Sequence, residues 1–101
     1  MGLLSALFGG GSKTDIASLV SSGAVIIDVR TQAEYAGGHV SSSKNIPLDQ
    51  LKSRMTELNK STPVITCCAS GMRSGSAKKI LLAAGFENVV NGGSWTSLQG
   101  Y

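Results

Sequence analysis

The sequence has 101 residues, of which 42% are hydrophobic and 15% are charged, and its net charge is +3. This length and composition predict one globular domain and exclude a disordered protein. The longest basic run is Lys78–Lys79, so we expect no nucleic-acid partner, while the mild positive charge suits a small anionic ligand. Two adjacent cysteines and one histidine provide neither a disulfide framework nor a metal site, and we expect no metal.

The first twelve residues, MGLLSALFGGGS, are predicted to form a leader and linker before a domain that spans residues 13–101. They lack the basic start and the long apolar stretch of a signal peptide, and they are too short to cross a bilayer. We therefore expect a cytoplasmic protein without a membrane partner. The alternative is that these apolar residues form one turn that docks on the domain or on a membrane surface.

In chain order, residues 14–23 predict a short helix, because Ile16, Leu19 and Val20 have the i, i+3, i+4 spacing of one buried face. Residues 24–29, AVIIDV, form a nearly continuous apolar and β-branched run. Such a run is typical of a strand that is buried on both faces of a parallel sheet. Thr31 and Glu34 then form a capping box, which predicts another short helix before the next glycines.

Further along the chain, residues 41–48 predict a loop with a brief extended piece, and residues 48–59 predict an amphipathic helix. Residues 63–67, PVITC, predict a second buried strand, residues 74–85 a helix, and residues 88–90 a third, short strand. The sequence NGGSW that follows predicts a glycine turn. This alternation predicts a three-layer α/β domain with a central, mostly parallel sheet and helices on both faces.

The segment between the second strand and its helix is the candidate site. It lies at the carboxyl end of a central strand, where open α/β sheets place their ligands, and it precedes a helix N-terminus. The backbone N–H groups of Ala69, Ser70, Gly71, Met72 and Arg73 have no strand partner there. We expect them to form a nest that binds an anion, with Gly71 allowing the tight curve.

Cys68 stands at the mouth of this nest and is the candidate nucleophile. A thiol at a helix N-terminus ionises more readily than a free cysteine, and its thiolate needs no histidine base. Arg73 adds a permanent positive charge that suits an oxyanion. Cys67 belongs to the strand, where we expect it to pack as a small buried residue on the face opposite to Cys68. We therefore expect no disulfide between the two cysteines.

Several separated segments resemble the single-domain rhodanese family of thiosulfate sulfurtransferases. The resemblance covers residues 15–95, and its segments occur in the order that the family has. They are Asp28-Val29-Arg30, Glu34-Tyr35, Gly38-His39-Val40, Asn45-Ile46-Pro47, the loop from Cys68 to Ser74, Gly85-Phe86 and Gly92-Gly93.

The resemblance implies a rhodanese-like fold and a sulfurtransferase that works through a persulfide on Cys68. The six residues from Cys68 to Arg73 would be its active-site loop. The implied partners are a small anionic sulfur donor, such as thiosulfate, and a thiophilic acceptor, which is cyanide, a thiol or a protein cysteine. No cofactor is implied. The second loop position is often arginine in the family, and here it is Ala69, which removes a charge that could attract thiosulfate.

Two alternatives to this interpretation stay open at the level of sequence. The protein could carry a persulfide without turning over free thiosulfate efficiently. Counted from Cys67, the loop also has the Cys-x5-Arg-Ser spacing of cysteine phosphatases and rhodanese-fold arsenate reductases. In that case Cys67 would be the nucleophile, although it lacks the preceding histidine of the phosphatase signature.

Four residues outside the loop also stand out. Asp28 and Arg30 follow a buried strand and could brace the site, but we favour an ordinary ion pair at a strand end, with Glu34 as a candidate partner of Arg30. His39 is expected to bond to backbone in the turn after Gly38. Trp95 is expected to pack in or beside the core, as large aromatic residues usually do.

Overall fold

The computed structural model describes residues 13–101, so the predicted leader, residues 1–12, lies outside the described residues. The helices are α1 Lys13–Ser21, α2 Gln32–Ala36, α3 Leu51–Arg54 and α4 Met72–Ala83. The strands are β1 Val25–Asp28, β2 Lys44–Asn45, β3 Val64–Cys68 and β4 Val89–Ser94. Short 3₁₀ helices at Leu48–Gln50 and Met55–Glu57 flank α3, and a third at Trp95–Leu98 follows β4. None of the helices in this described part of the chain has the length and apolar character needed to cross a membrane.

The four strands form one parallel sheet in the order β2-β1-β3-β4. Strand β3 is central, and its register pairs Val64 with Val25 of β1 and with Val89 of β4. The pairing between β3 and β4 is irregular between Thr66 and Cys68. The predicted α/β fold is therefore confirmed, and the carboxyl end of β3 lies in the middle of one sheet edge.

The core consists of two apolar clusters, one on each face of the sheet. Residues alternate between the faces along each strand, so Ile27 of β1 belongs to one cluster and Ile26 to the other. Leu81 of α4 and Leu51 of α3 pack in the first cluster. Ile16 of α1 packs in the second. This arrangement gives the three layers that the sequence predicts, with helices on both faces.

Several boundaries differ from the predicted elements. Strand β3 continues through Cys68, so the nucleophile candidate is the last strand residue and not the first turn residue. Helix α4 begins at Met72, two residues before the predicted start, because Gly71 serves as its N-cap. Strand β4 extends through the glycines to Ser94, so the predicted glycine turn after residue 90 is wrong. The predicted helix over residues 48–59 is divided between α3 and its two 3₁₀ helices, and ends at Glu57.

Candidate active site

The Cys68 side chain lies under the loop that connects β3 to α4. Its Sγ accepts hydrogen bonds from the N–H of Gly71, at 3.0 Å, and from the N–H of Ser74, at 3.4 Å. The Ser74 hydroxyl is also 3.4 Å from Sγ. Cys68 as a whole is 0% exposed. Of the N–H groups predicted to form an anion-binding nest, that of Gly71 points at the cysteine sulfur, and it is joined by the N–H of Ser74, which the sequence prediction left out. Binding of an anion by the nest stays a prediction.

The loop conformation depends on Gly71. Its φ of 100° lies in the left-handed region that favours glycine. A Cβ at this position would also lie 3.4 Å from the Cα of Gly93 on β4. That distance is an ordinary van der Waals contact, so glycine is needed here for the turn, which aims the Gly71 N–H at the sulfur of Cys68.

The surroundings of Cys68 favour its thiolate. Burial raises the pKa of this thiol, but hydrogen bonds oppose that effect. The Ser74 hydroxyl contributes most, followed by the backbone N–H groups of Ser74, Gly71 and Ser70. The net result is a pKa lowered from its ordinary value. Since the stabilising groups are fixed dipoles, the thiolate is stabilised without a histidine base.

Ser74 is held by Asn91, a residue on β4 to which the sequence analysis gave no role. The Ser74 hydroxyl donates to Asn91 Oδ1 at 2.7 Å, and the Asn91 amide donates to the Gly71 carbonyl at 3.1 Å. Asn91 Oδ1 also accepts the Gly93 N–H at 2.9 Å. Thr66 adds a hydrogen bond from its hydroxyl to the Ser74 carbonyl at 2.9 Å. The Asn91 side chain therefore connects both ends of the loop to β4. In the sequence, the one indication of this role is that Asn91 is a polar residue directly after a predicted apolar strand.

Cys67 lies on the opposite face of β3, as predicted. It belongs to the cluster that includes Ile26 and α1, whereas Cys68 packs with Val29 and α4. Cys67 is 0% exposed, and both cysteines are free. Burial, followed by the nearby Asp28 carboxylate, raises the pKa of Cys67 to about 12. This residue is a neutral packing thiol at neutral pH, which argues against the alternative in which it is the nucleophile.

Arg73 makes an ion pair that the sequence did not predict. Its guanidinium holds the Glu34 carboxylate in a two-pronged contact, with Nη1 at 2.7 Å from Oε1 and Nη2 at 3.0 Å from Oε2. The Arg73 hydrogen bond is the main reason why the pKa of Glu34 is lowered to about 2. Glu34 also accepts the Thr31 N–H and is part of the predicted capping box, which the structure confirms. The predicted ion pair between the Glu34 and Arg30 side chains is wrong, because Arg30 bonds to the backbone carbonyl of Glu34.

Arg30 instead forms a buried pair with Asp28. The distance from Nη2 to Oδ2 is 2.7 Å, and Nε lies 3.0 Å from both carboxylate oxygens. Asp28 is 0% exposed and Arg30 is 4% exposed, so the ion pair at this strand end is buried. Arg30 donates further to the carbonyls of Glu34, at 3.3 Å, and Gly38, at 2.7 Å. The pair therefore braces α2, which carries Glu34 toward the loop.

His39 and Trp95 have the supporting roles that were predicted. The Nδ1 atom of His39 lies 2.8 Å from the Tyr35 carbonyl, and its ring stacks on that of Tyr35 with centroids 3.8 Å apart. Trp95 packs against the second apolar cluster, and the Arg30 guanidinium lies 4.6 Å from the centre of its ring. Both residues hold the segment around α2 and contribute no group to the sulfur of Cys68.

The outer side of the loop is open to solvent. Ala69 and Ser70 are exposed, and Met72 is 81% exposed. A cavity of about 300 Å³ lies beside Arg73 and is lined by Val29, Thr31, Pro47, Leu48, Asp49 and Arg73. Of the five predicted substrate-binding residues, Ser70 and Gly71 direct their N–H groups to the sulfur, Arg73 is engaged by Glu34, and Ala69 and Met72 are exposed. Their contact with a substrate stays a prediction.

A buried cysteine whose sulfur accepts N–H hydrogen bonds, at the carboxyl end of a strand in a parallel α/β sheet, has surroundings that suit a cysteine nucleophile. The sequence matches the Rhodanese-like domain family over residues 12–99, and the chain belongs to this family. The resemblance stated from its sequence segments is therefore confirmed.

Individual relatives agree with this membership. The chain is 41% identical over 68 residues to the uncharacterized protein YqhL of Bacillus subtilis, a match covering 67% of this chain and 54% of YqhL. It is 39% identical over 69 residues to the thiosulfate sulfurtransferase PspE of Escherichia coli, covering 66% of each. The chain thus spans less than two thirds of either relative. The solved structure described as a rhodanese with anions from E. coli matches with a TM-score of 0.69 and 37% identity, covering 73% of this chain and 89% of that one.

Proposed function

We propose that this protein is a sulfurtransferase that moves a sulfane sulfur through a persulfide on Cys68. The observation that carries the proposal is the position of the Cys68 sulfur, which accepts N–H bonds from Gly71 and Ser74 at 3.0 and 3.4 Å. Family membership and the name of the relative PspE, a thiosulfate sulfurtransferase, support the same reaction class. The proposed location is the cytoplasm.

In the first step, the Cys68 thiolate attacks the outer sulfur of a donor such as thiosulfate. A bond forms between Sγ and that sulfur, the sulfur–sulfur bond of the donor breaks, and sulfite leaves with the electron pair. The persulfide then carries the negative charge on its terminal sulfur. The N–H groups of Ser70, Gly71 and Ser74 point at Sγ, and they offer fixed dipoles whose positive ends face the persulfide as it forms.

In the second step, an acceptor attacks the terminal sulfur of the persulfide. Cyanide leaves as thiocyanate, or a thiol becomes a persulfide, and Cys68 departs as a thiolate. The same N–H groups stabilise this leaving thiolate, so one ring serves both steps. Neither step as proposed uses a metal or an organic cofactor.

Mass spectrometry of the protein after incubation with thiosulfate tests the proposal. We expect one added sulfur atom that maps to Cys68, that cyanide removes, and that is absent from Cys68→Ser. The matched control is Cys67→Ser, which should still take up sulfur. A sulfur adduct that persists in Cys68→Ser and disappears in Cys67→Ser would overturn the assignment of the nucleophile.

A second candidate function is a persulfide carrier that exchanges sulfur with protein partners and turns over free thiosulfate poorly. The engagement of Arg73 by Glu34 favours it, because Arg73 is the one charged residue in the loop sequence 68–74. Parallel assays discriminate the possibilities. Turnover with thiosulfate and cyanide indicates the enzyme, loading without turnover indicates the carrier, and activity on an aryl phosphate or on arsenate indicates the Cys67 alternative.

A further inference from the structure

The charge of the loop is controlled by a residue outside it. Arg73 carries the single formal charge in the loop sequence 68–74, and both of its terminal nitrogens bond to the two carboxylate oxygens of Glu34. The two residues are 39 positions apart, so the pair depends on how α2 is placed. That placement is itself fixed, because Glu34 completes the capping box of α2 and its carbonyl accepts from Arg30.

Glu34 is negatively charged at any pH near neutrality, since its pKa is lowered to about 2. Its charge therefore cancels that of Arg73 next to the approach to Cys68. The N–H ring remains polar and able to stabilise a thiolate, but the loop offers little net ionic attraction to an incoming anion. Attraction of this kind grows with the charge of the donor, so its loss disfavours a dianion more than a monoanion.

We propose that Glu34 is a specificity-determining residue, which directs the proposed sulfur transfer away from thiosulfate and toward organic sulfane donors of lower charge. The inference rests on the proposed function. A fitting donor is an organic persulfide: the Cys68 thiolate attacks its outer sulfur, the sulfur–sulfur bond of the donor breaks, and the organic thiolate leaves with the electron pair. Atoms and charge balance, and no oxidant is required.

The first test compares two donors that undergo the same reaction and differ in charge: thiosulfate, a dianion, and benzenethiosulfonate, a monoanion. The variant is Glu34→Gln, which removes the charge but keeps an oxygen for the capping box. Removing one nearby unit charge changes the rate at which a donor reacts about threefold for each unit of charge on the donor. We therefore expect loading of Cys68 to accelerate about tenfold with thiosulfate and about threefold with benzenethiosulfonate. Equal acceleration of both donors, or none, would overturn the proposal.

The chain offers a matched control for this variant. Glu57 has the same side-chain exposure as Glu34, 36%, and pairs with Lys44 at 2.7 Å and Arg54 at 2.8 Å. Hydrogen bonds from these two residues also lower its pKa to about 2. Glu57→Gln therefore makes the same change in net charge at a different ion pair. We expect it to leave the ratio of the two donor rates within about twofold of the wild type, because the ion pairs of Glu57 are with Lys44 and Arg54 and not with the loop, and salt screens exposed charges.

A second measurement does not depend on sulfur transfer. Iodoacetate and iodoacetamide alkylate a thiolate in the same way, but only the first is an anion. Glu34→Gln should raise the ratio of their rates at Cys68 about threefold. If the donor experiment shows no sulfur loading in any form while this ratio rises, the proposed function fails and the electrostatic role of Glu34 stands. If loading occurs and the ratio does not move, the role assigned to Glu34 is wrong.

The wild-type protein provides a test that is independent of how the variant folds. If Glu34 cancels the charge of Arg73, the iodoacetate to iodoacetamide ratio should change less than about twofold between low salt and 1 M salt, where the Debye length is about 3 Å. A steep fall of this ratio with salt would show that Arg73 attracts anions despite its partner, and it would overturn the proposal.

Discussion

The Ser74 hydroxyl should control how easily Cys68 ionises, and Ser74→Ala removes it. This hydroxyl lies 3.4 Å from Sγ and makes the largest contribution among the groups that lower the pKa of Cys68. The Ser74 hydroxyl has one proton and also donates it to Asn91 Oδ1 at 2.7 Å, so the sulfur shares this hydrogen bond with Asn91. We therefore assign the contact about 1 kcal/mol, below the range for hydrogen bonds to charged groups, which corresponds to about fivefold in the thiolate fraction.

The assay is the rate of alkylation of Cys68 by iodoacetamide as a function of pH, followed by mass spectrometry. Below the pKa of Cys68 the rate is proportional to the thiolate fraction, so Ser74→Ala should react about five times more slowly. At high pH both proteins hold the full thiolate, and their rates should converge. The pH profile of the variant is thus displaced toward that of an ordinary cysteine.

The matched control is Ser76→Ala on the same helix. Ser76 is exposed, and its hydroxyl contacts only the Met72 carbonyl, at 3.4 Å, among the hydrogen bonds found within residues 13–101. The alkylation rate of Cys68 in this variant should equal that of the wild type at every pH. The reasoning is refuted if Ser74→Ala also reacts like the wild type, or if its rate stays low at high pH, since that would indicate a change in access and not in ionisation.

Three further outcomes are expected from urea unfolding and sulfur-transfer assays. Arg30→Met should lower the unfolding free energy by about 3–5 kcal/mol because it leaves a buried carboxylate unpaired, whereas Arg54→Met, at an exposed pair, should cost under about 1 kcal/mol; equal costs would contradict this. Gly71→Ala should lower the unfolding free energy by about 1–2 kcal/mol because of the positive φ at this position, and Gly23→Ala should do the same. Only Gly71→Ala should slow alkylation of Cys68. Cys67→Ala should keep sulfur transfer within about fivefold of wild type, since a buried thiol acts only through packing. The pKa of Cys67 is raised from 9.0 to about 12, so as the pH rises through that range this thiol ionises in the unfolded chain before it does in the folded protein. The wild-type protein therefore loses stability there, and the stability deficit of Cys67→Ala should shrink.

Much of the fold follows from local sequence patterns. The runs 24–29 and 63–67 are rich in apolar and β-branched residues, and both contribute central parallel strands. The capping box at Thr31 is local and was predictable for the same reason. Cys68 was singled out because it follows one of these runs and precedes a glycine loop and a helix, a combination that is itself a local pattern.

The parts that were missed depend on contacts between distant residues. Gly92 was assigned to a turn on local grounds, but it is a strand glycine, because a Cβ there would lie 2.8 Å from the Ile65 side chain and 2.9 Å from that of Leu98. The choice of partners for Glu34 was also misjudged. Arg30 satisfies the helical i, i+4 spacing, yet its guanidinium turns to the buried Asp28, which leaves Glu34 for Arg73. Neither preference is visible without the tertiary structure.

The contact between Arg30 and Trp95 provides an intrinsic fluorescence probe of the position of Arg30. Trp95 is the single tryptophan of the sequence, so its fluorescence has one source. The guanidinium 4.6 Å from its ring centre also donates to the Glu34 carbonyl in α2, and a cation at this distance interacts with the electrons of the indole. If loading of sulfur on Cys68 displaces α2, the emission of Trp95 should change, and a stopped-flow fluorimeter can follow that change without a label.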